Sequence, residues 1–204
     1  KERKKFSKKT SHLFLTRGVP GTHDTKRLYR DLKKLKSKNF KKLYIPRFDK
    51  SIDDRSPKKK WSIIKEKPDI IIFEGWCVGA LASKKSDIKL PINLLEKKED
   101  KKIIWRKIIN QELKKNYKKI FNMINTLIFL KIPSFKYVYK WRLLQEKKLS
   151  SLSKGNKIMN EDQIKRFIMF YERITKSMLK KTSKLADITI KLDTKHRLTS
   201  MKIK

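Results

Sequence analysis

The sequence predicts an α/β fold in which a mostly parallel sheet is covered by helices. Two observations carry that prediction. In Asp69-Ile70-Ile71-Ile72-Phe73-Glu74, four apolar residues run without polar alternation, the pattern of a strand buried on both faces. β-rich runs at 43–45, 69–74, 126–130 and 188–192 are separated by helical patterns or long connections, as parallel strands require.

The elements follow in order. Residues 1–20 are basic and become irregular around Gly18-Val19-Pro20-Gly21. Asp24 is placed to cap a helix over 25–36, with Leu28, Leu32 and Leu35 on one face. Leu43-Tyr44-Ile45 reads as a short strand stopped by Pro46, and a polar loop over 47–60 leads to Trp61. After the strand at 69–74, a connection bearing Gly and Ser reaches Pro91. Ile104, Ile108, Leu113, Tyr117, Ile120, Phe121 and Ile124 then recur at helical spacing.

The strand Thr126-Leu127-Ile128-Phe129-Leu130 is closed by Pro133, and a helix follows with Val138, Trp141 and Leu144 on its apolar side. Residues 150–156 read as a loop. Asn160 with Gln163 resembles a capping box, with Asn in place of the usual Ser or Thr, opening a helix expected to bury Ile164, Phe167, Ile168, Tyr171 and Met178. Ile188-Thr189-Ile190-Lys191-Leu192 is the last expected strand. At 204 residues the whole chain, 1–204, is expected to form a single domain.

Charge is the unusual quantity, with 57 Lys and Arg against 20 Asp and Glu, a net +37. So basic a chain invites a nucleic-acid reading, because cations release the counterions condensed on phosphate backbones. The positives are mostly Lys and spread along the whole length, and Ile and Asn are also abundant, as in products of AT-rich genomes. Arg is the residue suited to bidentate base and phosphate contacts. A basic solvated surface is therefore expected, with no specific nucleic acid as partner. The one cysteine, Cys77, excludes an intramolecular disulfide and suits a reducing cytoplasm. No apolar run reaches the ~18 residues of a membrane helix.

Two loops concentrate chemistry. In Thr16-Arg17-Gly18-Val19-Pro20-Gly21-Thr22-His23-Asp24, glycines around a proline shape a loop whose amides can approach a ligand. Arg17, Thr22, His23 and Asp24 add a cation, a hydroxyl, an imidazole and a carboxylate; a turn with an Asp cap satisfies the same pattern. Pro46-Arg47-Phe48-Asp49-Lys50-Ser51-Ile52-Asp53-Asp54-Arg55 interleaves both charge signs around an aromatic, as a small polar substrate requires and as a solvated loop also allows. Glu74, at a strand's carboxyl end before Gly75, lies where ligands bind in open α/β sheets, and a core strand ending in a solvated carboxylate fits the same pattern. Arg142, Gln145 and Glu146 share one helix face.

Taken in order, these segments resemble the D-glycerate 3-kinase-like branch of the P-loop kinases, related to uridine kinase, phosphoribulokinase and bacterial pantothenate kinase. Residues 16–24 resemble that branch's loop after its second strand. Pro46-Arg47-Phe48-Asp49-Lys50-Ser51 is similar to its Pro-Arg-Tyr-Asp-Lys-Ser substrate loop, and Ile71-Ile72-Phe73-Glu74-Gly75-Trp76 to its Walker-B-like strand. Tyr137-Val138-Tyr139-Lys140-Trp141-Arg142 with Gln145-Glu146 looks like its lid.

The resemblance implies a P-loop NTPase-like three-layer αβα fold, a lid over about 134–160, and ATP and Mg²⁺ as cofactors. It also implies phosphoryl transfer to a hydroxyl of a small organic acid, D-glycerate first, although a nucleoside or pantothenate fits the same scheme. Glu74 would order Mg²⁺, Arg142 would stabilise the transferring phosphoryl group, and Asp24 joins them as a catalytic residue. Arg17, His23, Arg47 and Asp49 would bind the acceptor. The branch's phosphate loop, G-x-x-x-x-G-K-[ST], is absent from the sequence. The expectation is therefore a C-terminal part of such a kinase, with N-terminal strands and phosphate loop preceding Lys1 and the isolated piece inactive. The rival expectation is a basic nucleic-acid-binding protein without catalysis.

Overall fold

The computed structural model describes residues 2–49, 52–152 and 159–204. The chain forms two compact units, Lys1–Glu74 and Gly75–Lys204.

In the first unit, α1 (Glu2–Lys9) packs beside a 3₁₀ turn at His12–Leu15, with the Phe6 and Phe14 rings 4.9 Å apart. Leu13, Phe14 and Val19 form the center of its core and are essentially inaccessible. Helix α2 (Thr25–Leu35) begins where expected, because the Asp24 carboxylate accepts the Arg27 amide at 3.0 Å. β1 (Leu43–Ile45), β2 (Phe48–Asp49), β3 (Asp54–Arg55) and β4 (Ser62–Ile64) complete the unit. β1 pairs antiparallel with β4, and β2 with β3. Arg27 ties α2 to these strands: its guanidinium lies 4.5 Å over the Trp61 ring and donates to the Tyr44 carbonyl at 3.2 Å.

Two sequence expectations are corrected here. The stretch over 47–60 is not simply a polar loop, because it carries the short β2–β3 pair. The segment 69–74 is not a buried strand: it joins no ladder among the described residues, and Ile70 and Ile72 are 80% and 87% exposed. Burial alternates along it, with Ile71 and Phe73 half-covered. Apolar composition favours burial, but a strand also needs neighbours for its backbone donors and acceptors, and no described strand supplies them.

The second unit opens with α3 (Lys85–Lys89), α4 (Leu94–Glu99), α5 (Ile104–Glu112) and α6 (Lys118–Phe121). A π-helical turn at Leu113–Tyr117 joins α5 to α6, so the helical spacing over 104–124 is realised in three pieces. β5 (Ile128–Lys131), α7 (Lys136–Leu152), α8 (Glu161–Lys180), α9 (Thr182–Leu185), β6 (Ile188–Leu192) and β7 (Leu198–Ile203) follow. The Asn160–Gln163 capping box opens α8, with both reciprocal bonds at 2.9 Å. Phe170 and Ile174 join Ile164 and Met178 as its fully buried residues, whereas Phe167, Ile168 and Tyr171 are half-buried. Trp105 meets Phe170 edge-on, ring centroids 5.7 Å apart. Of the expected loop over 150–156, residues 150–152 are instead the end of α7, and 153–156 lie outside the described residues.

β5 and β6 pair in parallel, as expected, while β7 adds an antiparallel strand that sequence reading missed. Its polar Thr199-Ser200 and Lys202 mask the apolar Leu198, Met201 and Ile203. Register places Ile128, Ile188 and Ile203 in one row across the sheet and Leu130, Ile190 and Met201 in the next. That face stands open, with Ile128, Leu130, Met201 and Ile203 each more than half exposed; Phe129 and Thr189 are buried on the other. Gly79 has φ +78°, and its carbonyl accepts the Thr182 hydroxyl at 3.1 Å.

Candidate active site

The loop at 16–24 is closed by its own hydrogen bonds. Gly18 and Gly21 take φ values of 113° and 98°, open to glycine without steric cost. The Gly18 amide donates to Thr22 Oγ1 at 3.0 Å, and that hydroxyl donates to the Val19 carbonyl at 2.7 Å. Thr22 thus shapes the loop. Val19 and Pro20 anchor it by burial, leaving Arg17, His23 and Asp24 at the surface.

The β2–β3 pair meets this loop at two points. The Arg17 guanidinium lies 3.9 Å above the Phe48 ring of β2. Arg55, directly opposite Phe48 in register, donates to Asp24 Oδ2 at 2.6 Å. Asp49 lies beside Phe48 and pairs in register with Asp54. Exposed Arg47 accepts the Ser56 amide at its carbonyl, 2.8 Å, and the Ser56 carbonyl accepts Trp61 Nε1, also at 2.8 Å. The two loops singled out from sequence are therefore in direct contact within one unit. Lys50 and Ser51 of the second loop lie outside the described residues.

Electrostatics separates the two titrating residues of the first loop. Desolvation, then the nearby Arg17 charge, lowers the pKa of His23, so its ring is neutral at pH 7 although part of the residue is in solvent. Desolvation pushes the Asp24 carboxyl up, but the Arg27 amide and the Arg55 guanidinium outweigh it and hold the carboxyl below its usual range. Asp24 is thus an anion that caps α2 and grips β3.

Glu74 is exposed at the end of the unpaired 69–74 segment. Among the described residues no three His, Cys, Asp or Glu side chains are grouped to hold a metal ion. In the second unit, Arg142 donates through Nη1 to Gln145 Oε1 at 2.6 Å and ion-pairs with Glu146 one turn along α7. Its guanidinium also lies 5.2 Å from the Phe167 ring of α8. Glu146 is buried and accepts the Met159 amide at 3.1 Å, tying α7 to the approach to α8. Trp141 meets the His196 ring at a 40° tilt, centroids 3.9 Å apart, and donates to the Thr194 carbonyl at 3.0 Å, which fixes α7 to the β6–β7 turn. A cavity of about 20 Å³ in this unit, lined by Trp105, Arg106, Phe170 and Arg173 among others, holds none of the sequence-predicted site residues.

Sequence reasoning did not single out Arg3, Asp53 or Arg55. Arg3 and Arg17 both ion-pair with Asp53, Arg17 Nη1 at 3.6 Å from Oδ1. Mixed charge in 46–55 was the available signal for Asp53 and Arg55; nothing local marks Arg3.

No protein-family profile matches the chain. It is 31% identical over 163 residues, 76% of this chain and 56% of the relative, to the uncharacterized kinase mug58 of Schizosaccharomyces pombe. It is 27% identical over 161 residues to the chloroplastic D-glycerate 3-kinase of Arabidopsis thaliana, covering 76% of this chain and 32% of that protein. A solved D-glycerate 3-kinase from Cryptococcus neoformans superposes on the whole chain with TM-score 0.75 at 22% identity, over 75% of its own length. The chain is similar in sequence to proteins named as kinases and shares the fold of a solved D-glycerate 3-kinase. The solved YGR205w protein also superposes, with TM-score 0.70 and 25% identity over 98% of this chain and 72% of its own. The chain spans about half the length of the first curated relative and about a third of the second. Among its described residues no helix is long and apolar enough to cross a membrane.

Proposed function

We propose that this chain is part of an ATP-dependent kinase that phosphorylates a hydroxyl of a small organic acid, D-glycerate first. The supporting observation is the contact between the two loops that resemble the family's acceptor loops, made by Arg17 on Phe48 and Arg55 on Asp24. The relatedness to proteins named as kinases supports the reaction class.

In this proposal both units act as one kinase domain of P-loop, three-layer type, with 134–160 as its lid. The residues present do not by themselves fit ATP·Mg²⁺: the sequence has no G-x-x-x-x-G-K-[ST] run, and the described residues offer no grouped metal ligands. The triphosphate cradle is assigned to chain outside these 204 residues. Arg17, Arg47 and Asp49 bind and orient the acceptor, and neutral His23 offers it a hydrogen bond. Asp24 would act beside them at the acceptor's hydroxyl, Glu74 would help hold a Mg²⁺ brought with the nucleotide, and Arg142 would offset charge on the transferring group. Such chemistry asks mainly for positioning and charge compensation. A cytoplasmic enzyme suits the single cysteine.

A coupled ADP-release assay of the complete gene product with D-glycerate tests the reading. Arg142→Ala should lower kcat about 10³-fold with little change in KM, as for arginines that contact a transferring phosphate. Normal turnover in that variant removes the lid assignment, and absence of ADP release with any small hydroxy acid removes the substrate class. The 204-residue chain alone is expected to be inactive; Mg²⁺-dependent transfer by it would show the cradle to be wrongly located.

A further inference from the structure

We propose that Arg3 and Arg17 form a recognition pair for the carboxylate of a small-molecule ligand, and that Asp53 occupies this pair when the ligand is absent. The proposal rests on the organic-acid reading above and deepens it by adding Arg3 and Asp53. Arg3 ion-pairs with Asp53 Oδ2 while Arg17 faces Oδ1, so each oxygen of one carboxylate meets a different guanidinium. That is how two arginines hold a carboxylate ligand. The plane of Arg17 is set by the Phe48 ring 3.9 Å beneath it, which orders the group before a ligand arrives.

A second observation points the same way. Arg3 Nε is enclosed and has no hydrogen-bond partner among the described residues. Enclosed donors are ordinarily satisfied, so a donor left over beside a pair already aimed at a carboxylate marks a place for one more acceptor oxygen. Asp53 is a replaceable occupant. Its side chain is 48% exposed, and its backbone stands at φ 51° in the short β2–β3 connection. A free carboxylate of similar size therefore exchanges with the half-exposed Asp53 side chain and leaves the core untouched.

The arginine Nε–H resonances of isotopically labelled protein read this directly, during titration with sodium acetate, D-glycerate and uncharged glycerol. The expected result is that acetate and D-glycerate move the Arg3 and Arg17 signals and glycerol does not. An occupant filling the pair about nine-tenths of the time weakens the apparent affinity about tenfold, so Asp53→Asn should tighten the apparent Kd about tenfold. Arg3→Gln should weaken it by a similar factor. Asp53→Gly, which also tolerates the left-handed backbone, should repeat the Asn result and guards against a folding artefact.

Acetate leaving both signals unmoved in the parent and in Asp53→Asn would overturn the proposal. So would equal affinity in the parent, Asp53→Asn and Asp53→Gly. Acetate binding as tightly as D-glycerate would support the carboxylate pair while removing the hydroxy-acid reading. Turnover of D-glycerate by the complete gene product with Arg3 unperturbed would do the reverse.

Discussion

Arg106 Nε donates to Asp100 Oδ2 at 2.8 Å with both side chains almost wholly buried. The same carboxylate accepts the amides of Trp105 and Arg106 at 2.9 and 3.1 Å, capping the start of α5. The guanidinium also reaches the carbonyls of Ile88, Lys89 and Asp100 at 2.9–3.2 Å. Buried Glu96, 3.7 Å from Arg106, is in turn held by Arg173 of α8 at 2.6 Å. One charged knot thus joins α4, α5, α8 and the end of α3.

Removing one member leaves a buried charge without compensation. Arg106→Ala should therefore cost about 3–5 kcal/mol, measured as a lowered urea midpoint. The exposed Lys165–Asp162 pair provides the contrast, since Lys165→Ala should leave the urea midpoint nearly unchanged. Equal losses for the two variants would contradict the structural role given to Arg106.

Gly79 is the second point of sensitivity. A Cβ there would stand 2.9 Å from Leu127 Cδ2 and 3.2 Å from Thr182 Cγ2, on a backbone at φ +78°. Gly79→Ala should destabilise by about 1–3 kcal/mol. Gly75→Ala, whose Cβ would meet a Val78 methyl at 3.2 Å on a backbone without positive φ, should cost less in the same thermal melts.

The first loop makes stability depend on pH in two windows. The folded pKa of His23 lies below its ordinary 6.5, so the unfolded chain binds the proton more readily. Stability from the neutral ring is complete above pH 6.5 and declines as pH falls through that value towards the folded pKa. His23→Gln should flatten this limb in denaturation curves taken between pH 5 and pH 7. Asp24 has a lowered folded pKa, so its contribution is present above the unfolded value and is lost as acid carries the protein through the folded one. Asp24→Asn keeps a capping oxygen but loses the Arg55 pair. At pH 7 it should cost up to about 1 kcal/mol, a gap that closes in strong acid.

The open face of the β5–β6–β7 sheet should make the isolated chain self-associate, because uncovered apolar rows and a β5 edge unpaired among the described residues invite other copies. Leu130→Lys with Met201→Lys should lower the apparent mass in light scattering and reduce binding of a hydrophobic dye. An unaltered mass with those lysines in place would show that the face is not the sticking surface.

What sequence made legible was local. Asp24 and Asn160 announced α2 and α8 because a cap bonds to amides two or three residues away. The chemistry of 16–24 and 46–55 was readable for the same reason, residue type by residue type. Strand 69–74 misled, because four apolar residues say what would gain from burial and nothing about whether a neighbour strand is there to accept it. β7 was overlooked because its apolar residues are interrupted by Thr, Ser and Lys, and its place is set by pairing with β6.

By itself, then, the order of amino acids determined the helix starts, the shaped loops and the likeness to glycerate kinases. Tertiary structure alone decided that Arg17 rests on Phe48, that Arg55 clasps Asp24 across 31 residues, and that one apolar sheet face is left bare. Caps and helical periodicity arise between residues within a turn of one another, so they are written in short words. Contacts between distant segments depend on how the whole chain closes, and no short word spells that.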